Sequence, residues 1–135
     1  MSLSFARAHE MVTAAHEHAG QLGIAISCVV VDEGGAIRAA GRMDDASVVS
    51  FSAAEAKAMN CAVGRRDAAA YVALQATPAS LAFLERILPR PISPGLGGVV
   101  IRHGAAYLGA IGVSGGTGAQ DHECASAAIA KVVDR

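Results

Sequence analysis

One stretch limits the fold of this chain more than any other: Gly109-Ala110-Ile111-Gly112-Val113-Ser114-Gly115-Gly116-Thr117-Gly118-Ala119-Gln120-Asp121. Its first half is small and apolar, as a buried strand requires. The cluster Ser114 to Gly118 then forces a sharp turn, and Thr117 or Asp121 is placed to cap a following helix. Successive glycines admit positive φ angles and let several backbone N–H groups face one way. Together with a helix N-terminus, such donors suit a carboxylate or phosphate, and Ser114 and Thr117 add hydroxyls. The plainer alternative is a turn that serves only the fold. The spacing is neither a Walker A loop nor a GxGxxG fingerprint.

The rest of the chain can be divided around this strand–turn–helix. Ser4 reads as the cap of a helix that ends near Ala19, with Gly20 as its stop; Phe5, Ala8, Val12, Ala15 and Ala19 share one face. Ile24 to Val31 is predicted as a buried strand, Asp32 to Gly35 as a tight turn, and Ala36 to Gly41 as the returning strand. A mostly buried helix is expected from Val48 to Val63, ended by Gly64. Two shorter helical pieces should fill Asp67 to Leu88, broken at Thr77-Pro78. Pro89, Pro91 and Pro94, with Gly95, Gly97 and Gly98, form a rigid connector. A second hairpin, Val99 to Arg102 and Tyr107 to Val113, turns at His103-Gly104, and a last helix runs from Gly118 to Val133. Hairpins in place of βαβ units point to an antiparallel sheet with helices packed on it, an α/β (α+β) class.

With 135 residues there is room for one domain, 1–135. Hydrophobic residues make up 53% but aromatics only 4%, so many core side chains are small and a homo-oligomer is expected to complete the burial. The net charge of −1, without any Lys/Arg run, excludes a phosphate-tracking surface and hence nucleic acid. Cys28, Cys61 and Cys124 form no Cys-x-x-Cys pair; three buried thiols in a reducing compartment is the expectation, with no metal site. The N-terminus has no apolar signal core and no stretch reaches the ~18 apolar residues of a membrane span, so no membrane is involved and a cytoplasmic protein is expected.

Lys57 sits in an Ala-rich helix on a narrow polar stripe with Ser50 and Asn60. It reads either as a partner for a ligand carboxylate or as half of a structural ion pair, with Asp44 or Asp32 as the candidate counter-charge. Asp44 and Asp45 follow Arg42 at a strand end; paired carboxylates can divide acid and base work, but Asp45 or Ser47 also fits as a helix cap. His9 and His16 align along one edge of the first helix, His122 lies in the first turn after Gly118, and His103 belongs to a hairpin turn. A solvated helix face, shared with Glu10 and Glu17, is the plainer explanation of the first two.

Taken together, Gly97-Gly98-Val99, Gly104, Gly109 to Gly118, Gln120-Asp121 and Cys124-Ala125 resemble the C-terminal signature of the GlcG/HbpS family. Val30-Val31-Asp32, Gly34-Gly35, Arg42-Met43-Asp44 and Ala56-Lys57-Ala58 resemble its N-terminal half. The chain departs from that pattern at Val99-Val100-Ile101, where a proline is usual, at Asp45 in place of Gly, and from Arg65 to Pro94. The resemblance implies a profilin-like antiparallel sheet of about five strands flanked by helices, oligomerisation, and haem as a possible cofactor. On that basis a small anionic molecule or haem would be held by Ser114, Gly115, Gly116, Thr117 and Gly118 with Arg42, Lys57 and Asn60, and His16, His9 or His122 would reach the iron. Two other classes stay open. One is an enzyme of small-molecule catabolism, an isomerase, hydratase or hydrolase in which Lys57 or Asp44 moves a proton on a carboxylate substrate. The other is a structural or regulatory oligomer without a ligand.

Overall fold

A computed structural model describes residues 2–133, so the extreme ends of the expected 1–135 domain lie outside it. The elements run α1 (Phe5–Leu22), β1 (Ser27–Asp32), β2 (Ile37–Arg42), α2 (Val48–Gly64), α3 (Ala68–Ala73), a 3-10 turn (Leu74–Ala76), α4 (Pro78–Ile87), β3 (Gly98–His103), β4 (Ala106–Ser114) and α5 (Gly118–Val132). The sheet is antiparallel throughout, in the order β2-β1-β4-β3. It has four strands. A fifth, implied only by the family resemblance, has no counterpart among the described residues. The stretch between the hairpins instead forms α3 and α4, as its Ala-rich runs and Pro78 at a helix start favour, and then a Pro-rich connector.

Ser4 caps α1 by accepting from the Arg7 N–H at 3.2 Å. The helix does not stop at Gly20. It runs on to Leu22 and ends at Gly23, whose φ of 74° provides the left-handed cap. The cap also explains why β1 starts at Ser27 and not at Ile24, since the Ile24 N–H is bonded back to Ala19 O at 3.0 Å.

β1 reads as an unbroken apolar run because both of its faces are covered. Cys28 and Val30 join the core beneath α1 and α5, while Val29 and Val31 join a second core beneath α2. A strand buried on both sides loses the polar alternation that marks a half-exposed one. β4 lies beside β1 and carries the same double burden. On its α2 side it presents Gly112, where a Cβ would lie 2.1 Å from Ala54 O and 2.7 Å from Ala58 N. The backbone of α2 therefore rests directly on the sheet, which fixes the depth at which Lys57 and Asn60 sit.

β3 is an edge strand. Its outward N–H at Val100 is taken by Asp67 Oδ1 at 2.8 Å, so the residue that begins α3 also covers part of the exposed sheet edge.

Candidate functional site

The Gly-rich turn joins the end of β4 to α5. Thr117, not Asp121, is the helix cap: its Oγ1 accepts from the Gln120 N–H at 3.2 Å, and Gln120 Oε1 accepts from the Thr117 N–H at 2.9 Å. This reciprocal pair satisfies two of the donors that a helix start leaves open. Asp121 is thereby free for another task. Its Oδ1 accepts from the Gly116 N–H at 2.8 Å, and its Oδ2 lies 3.4 Å from Lys57 Nζ. The anion in the turn is thus the protein's own carboxylate.

Lys57 reaches this point from the opposite face of the sheet. Its Nζ also donates to Val113 O at 2.9 Å, at the last residues of β4. The two charged side chains are 5% and 4% exposed, which makes this a buried ion pair tying α2 to α5 past the sheet end. The counter-charge is therefore Asp121, not Asp44 or Asp32. Gly97, at φ 113°, closes the cluster: a Cβ there would lie 2.4 Å from Val113 O and 3.2 Å from Lys57 Nζ. Burial pushes the Lys57 ammonium below its ordinary pKa, and the Asp121 charge opposes that shift. Burial likewise pushes the Asp121 carboxyl up, against the pull of the Gly116 N–H and Lys57. The cavity next to Lys57 measures about 10 Å³, room for one water at most and none for a substrate.

The other expected site residues are scattered. Asn60 donates to Arg90 O at 3.0 Å and Pro91 O at 3.1 Å and accepts from the Arg90 N–H at 3.2 Å, so it pins the Pro-rich connector to α2. Arg42 donates to Ala46 O at 2.7 Å, and Asp44 beside it is exposed. Ser47, not Asp45, caps α2. His16 Nε2 lies 3.0 Å from Gly41 O, under β2. His9 is exposed, with its ring centroid 5.7 Å from that of Phe5. His122 is exposed and bonded to Ser126 Oγ at 3.3 Å. The structure brings together Ser114 to Gly118 with Lys57; it does not bring Arg42, Asn60 or the three histidines to them. Asp121 and Gly97 are the members whose parts in this cluster were not foreseen. Their spacing from Lys57 in sequence carries no signal, because the partners lie on opposite sides of the sheet. Among the described residues no group of three or more His, Cys, Asp or Glu is placed to hold a metal ion, and no helix is long and apolar enough to cross a membrane.

All three thiols are buried. Burial pushes Cys61 up to about 12 and Cys124 up to about 11, and raises Cys28 further still. A thiol with a raised folded pKa contributes stability that is complete below its ordinary value of 9.0 and is lost as pH rises. Lys57, whose pKa is lowered, acts in the opposite sense. Above about pH 9 the unfolded chain releases its thiol protons while the folded protein keeps them, and the raised Tyr71 and Tyr107 hydroxyls add to this at higher pH, so unfolding free energy should fall as pH rises. Urea unfolding across this range measures the slope; a flat or rising profile would contradict the burial of the thiols.

Residues 3–130 match the family described as haem-degrading protein, HbpS-like. The corrinoid adenosyltransferase PduO of Citrobacter freundii is 33% identical over 133 residues, 98% of this chain. The chain spans only 39% of that protein's length. Protein GlcG of Escherichia coli strain K12 is 34% identical over 112 residues, 83% of this chain and 81% of GlcG. Among solved structures, the PduOC:haem complex superposes with a TM-score of 0.86 at 31% identity, covering 96% of this chain and 94% of the other.

Proposed function

The chain belongs to the family of haem-degrading, HbpS-like proteins, and we propose that it binds haem or a related small anionic molecule. The observation that carries this reading is the superposition, along nearly all of both chains, on a structure solved as a haem complex. The four-stranded sheet with helices on both faces fits the profilin-like ground plan that the family resemblance implies.

The residues present are compatible with that group. Bound haem would bring an iron that an imidazole nitrogen could ligate. His9 and His122 offer exposed rings, whereas His16 is already turned toward a backbone carbonyl. For the propionates, Lys57 is spent on Asp121, and a ligand carboxylate at Gly116 would have to displace that same side chain. In this reading the Gly-rich turn anchors α5 to the sheet and to α2, and the ligand anion is met by cationic side chains elsewhere. An enzymatic role for Lys57 is disfavoured by the lack of room beside it. A homo-oligomer in the cytoplasm belongs to the same proposal: exposed Val48, Val49, Phe83 and Ile87 suit contact with a second copy.

Titration with ferric haem should give a saturating, stoichiometric Soret change. His122→Ala or His9→Ala should shift the band. If absorbance climbs without saturating, and the alanine variants of His9, His16 and His122 all match wild type, haem is not the ligand.

A further inference from the structure

A cluster of three arginines lies away from the Gly-rich turn, beside edge strand β3. A cavity of about 530 Å³ opens there between the C-terminal end of α2, β3 and α5. Arg65, Arg66 and Arg102 line it, together with the apolar side chains of Val99, Val100 and Ile129. No ion pair links any of the three arginines to a carboxylate among the described residues. Asp67 also lines the cavity, with one carboxylate oxygen committed to the Val100 N–H, so the three arginines outnumber the one carboxylate of the lining.

Three like charges in one cleft repel, so their placement calls for support. Aromatic faces provide it. The Arg65 guanidinium lies 4.8 Å and that of Arg102 5.6 Å from the Tyr107 ring centroid, and Arg66 lies 5.9 Å from that of Tyr71. Both tyrosines are themselves fixed, Tyr107 OH donating to Ala62 O and Tyr71 OH to Asn60 O. Arg65 also holds a φ of 53°, left-handed backbone that a non-glycine residue rarely adopts, as the cap of α2. The α5 wall contributes Ser126, whose hydroxyl is bonded to His122.

We propose that this cavity is the ligand site, and that it takes a molecule with carboxylates on an apolar body, the chemical class of a porphyrin dicarboxylate. The arginines meet the carboxylates, Val99, Val100 and Ile129 meet the apolar body, and His122 stands next to the cavity through Ser126. This assignment rests on the haem-binding reading above and gives it a place in the fold.

Metal-free protoporphyrin IX and its dimethyl ester separate the two claims, with fluorescence as the readout. Wild type should bind the free acid more tightly than the ester. Arg66 and Arg102 are both exposed, and the double variant Arg66→Gln/Arg102→Gln should weaken free-acid binding by about tenfold or more while leaving the ester unchanged. Each single variant should show part of that loss, which keeps the test decisive if the double variant fails to fold. Unchanged free-acid affinity in folded variants, with wild type binding well, overturns this site alone. Failure of wild type to bind either protoporphyrin IX or haem overturns the haem-binding reading and this site with it.

Discussion

Gly112→Ala is expected to abolish folding or to destabilise the protein by more than about 4 kcal/mol, beyond the usual range for a single substitution. The new Cβ would sit 2.1 Å from Ala54 O and 2.7 Å from Ala58 N, and both are backbone atoms of a helix that cannot rotate out of the way. Either α2 lifts off β4 or the strand moves. In both cases the core containing Val29, Val31, Ala58 and Cys61 opens. With a total stability of about 5–15 kcal/mol, little margin remains. Gly20→Ala is the matched control. Nothing lies within 4 Å of its added Cβ, and it sits inside α1, so a gain of about 0.4–1 kcal/mol is expected. Urea midpoints of the two variants should move in opposite directions. A soluble Gly112→Ala protein with a wild-type midpoint would show that α2 does not press on the sheet as described.

Asp121→Ala should cost about 3–5 kcal/mol, because it strands the Lys57 ammonium in a site where the pair is only 5% and 4% exposed. It also leaves the Gly116 N–H without its acceptor. The reverse change, Lys57→Met, should cost less than Asp121→Ala. Asp121 then keeps the Gly116 N–H, and protonation of its already raised carboxyl relieves the charge. The double variant Lys57→Met/Asp121→Asn removes both charges while preserving an acceptor for Gly116. It should be more stable than Asp121→Ala, and the cycle closed by Lys57→Met and Asp121→Asn as single variants should show a coupling energy well above the about 0.5 kcal/mol of independent sites. Additive losses in that cycle would mean that the two groups do not act as a pair. The sign with pH can be stated as well. Asp121→Ala leaves Lys57 with burial and without the Asp121 charge, so its folded pKa falls further, and the stability deficit of the variant relative to wild type should shrink as pH rises and the lysine loses its proton.

Much of the architecture was legible in the chain because it rests on local periodicity. Residues at helical spacing gave α1, an apolar run bounded by turn residues gave β1, and two strand–turn–strand segments gave an antiparallel sheet. Errors fell where a local signal was overridden. Gly20 does not end α1, since a glycine inside a helix costs only about 1 kcal/mol and Gly23 offers a better-placed cap. A fifth strand rested on no segment of this chain at all, and the sheet has four.

The Gly-rich turn shows where the sequence stops being sufficient. From Ser114 to Gly118 the chain by itself determined a strand, a sharp turn and a capped helix, because glycine, threonine and glutamine at those spacings satisfy the backbone locally. Whether the turn's donors remained free for a ligand was not a local question. Only the packing of α2 and α5 on opposite faces of the sheet brings Lys57 to Asp121, and only then does Asp121 fill the turn. The cluster of Arg65, Arg66 and Arg102 has the same origin: its members come from a helix end and an edge strand that meet across a cavity. Side-chain direction repeats along the chain and can be read from it. Charge pairing depends on distances between elements far apart in sequence, and those exist only once the layers have packed.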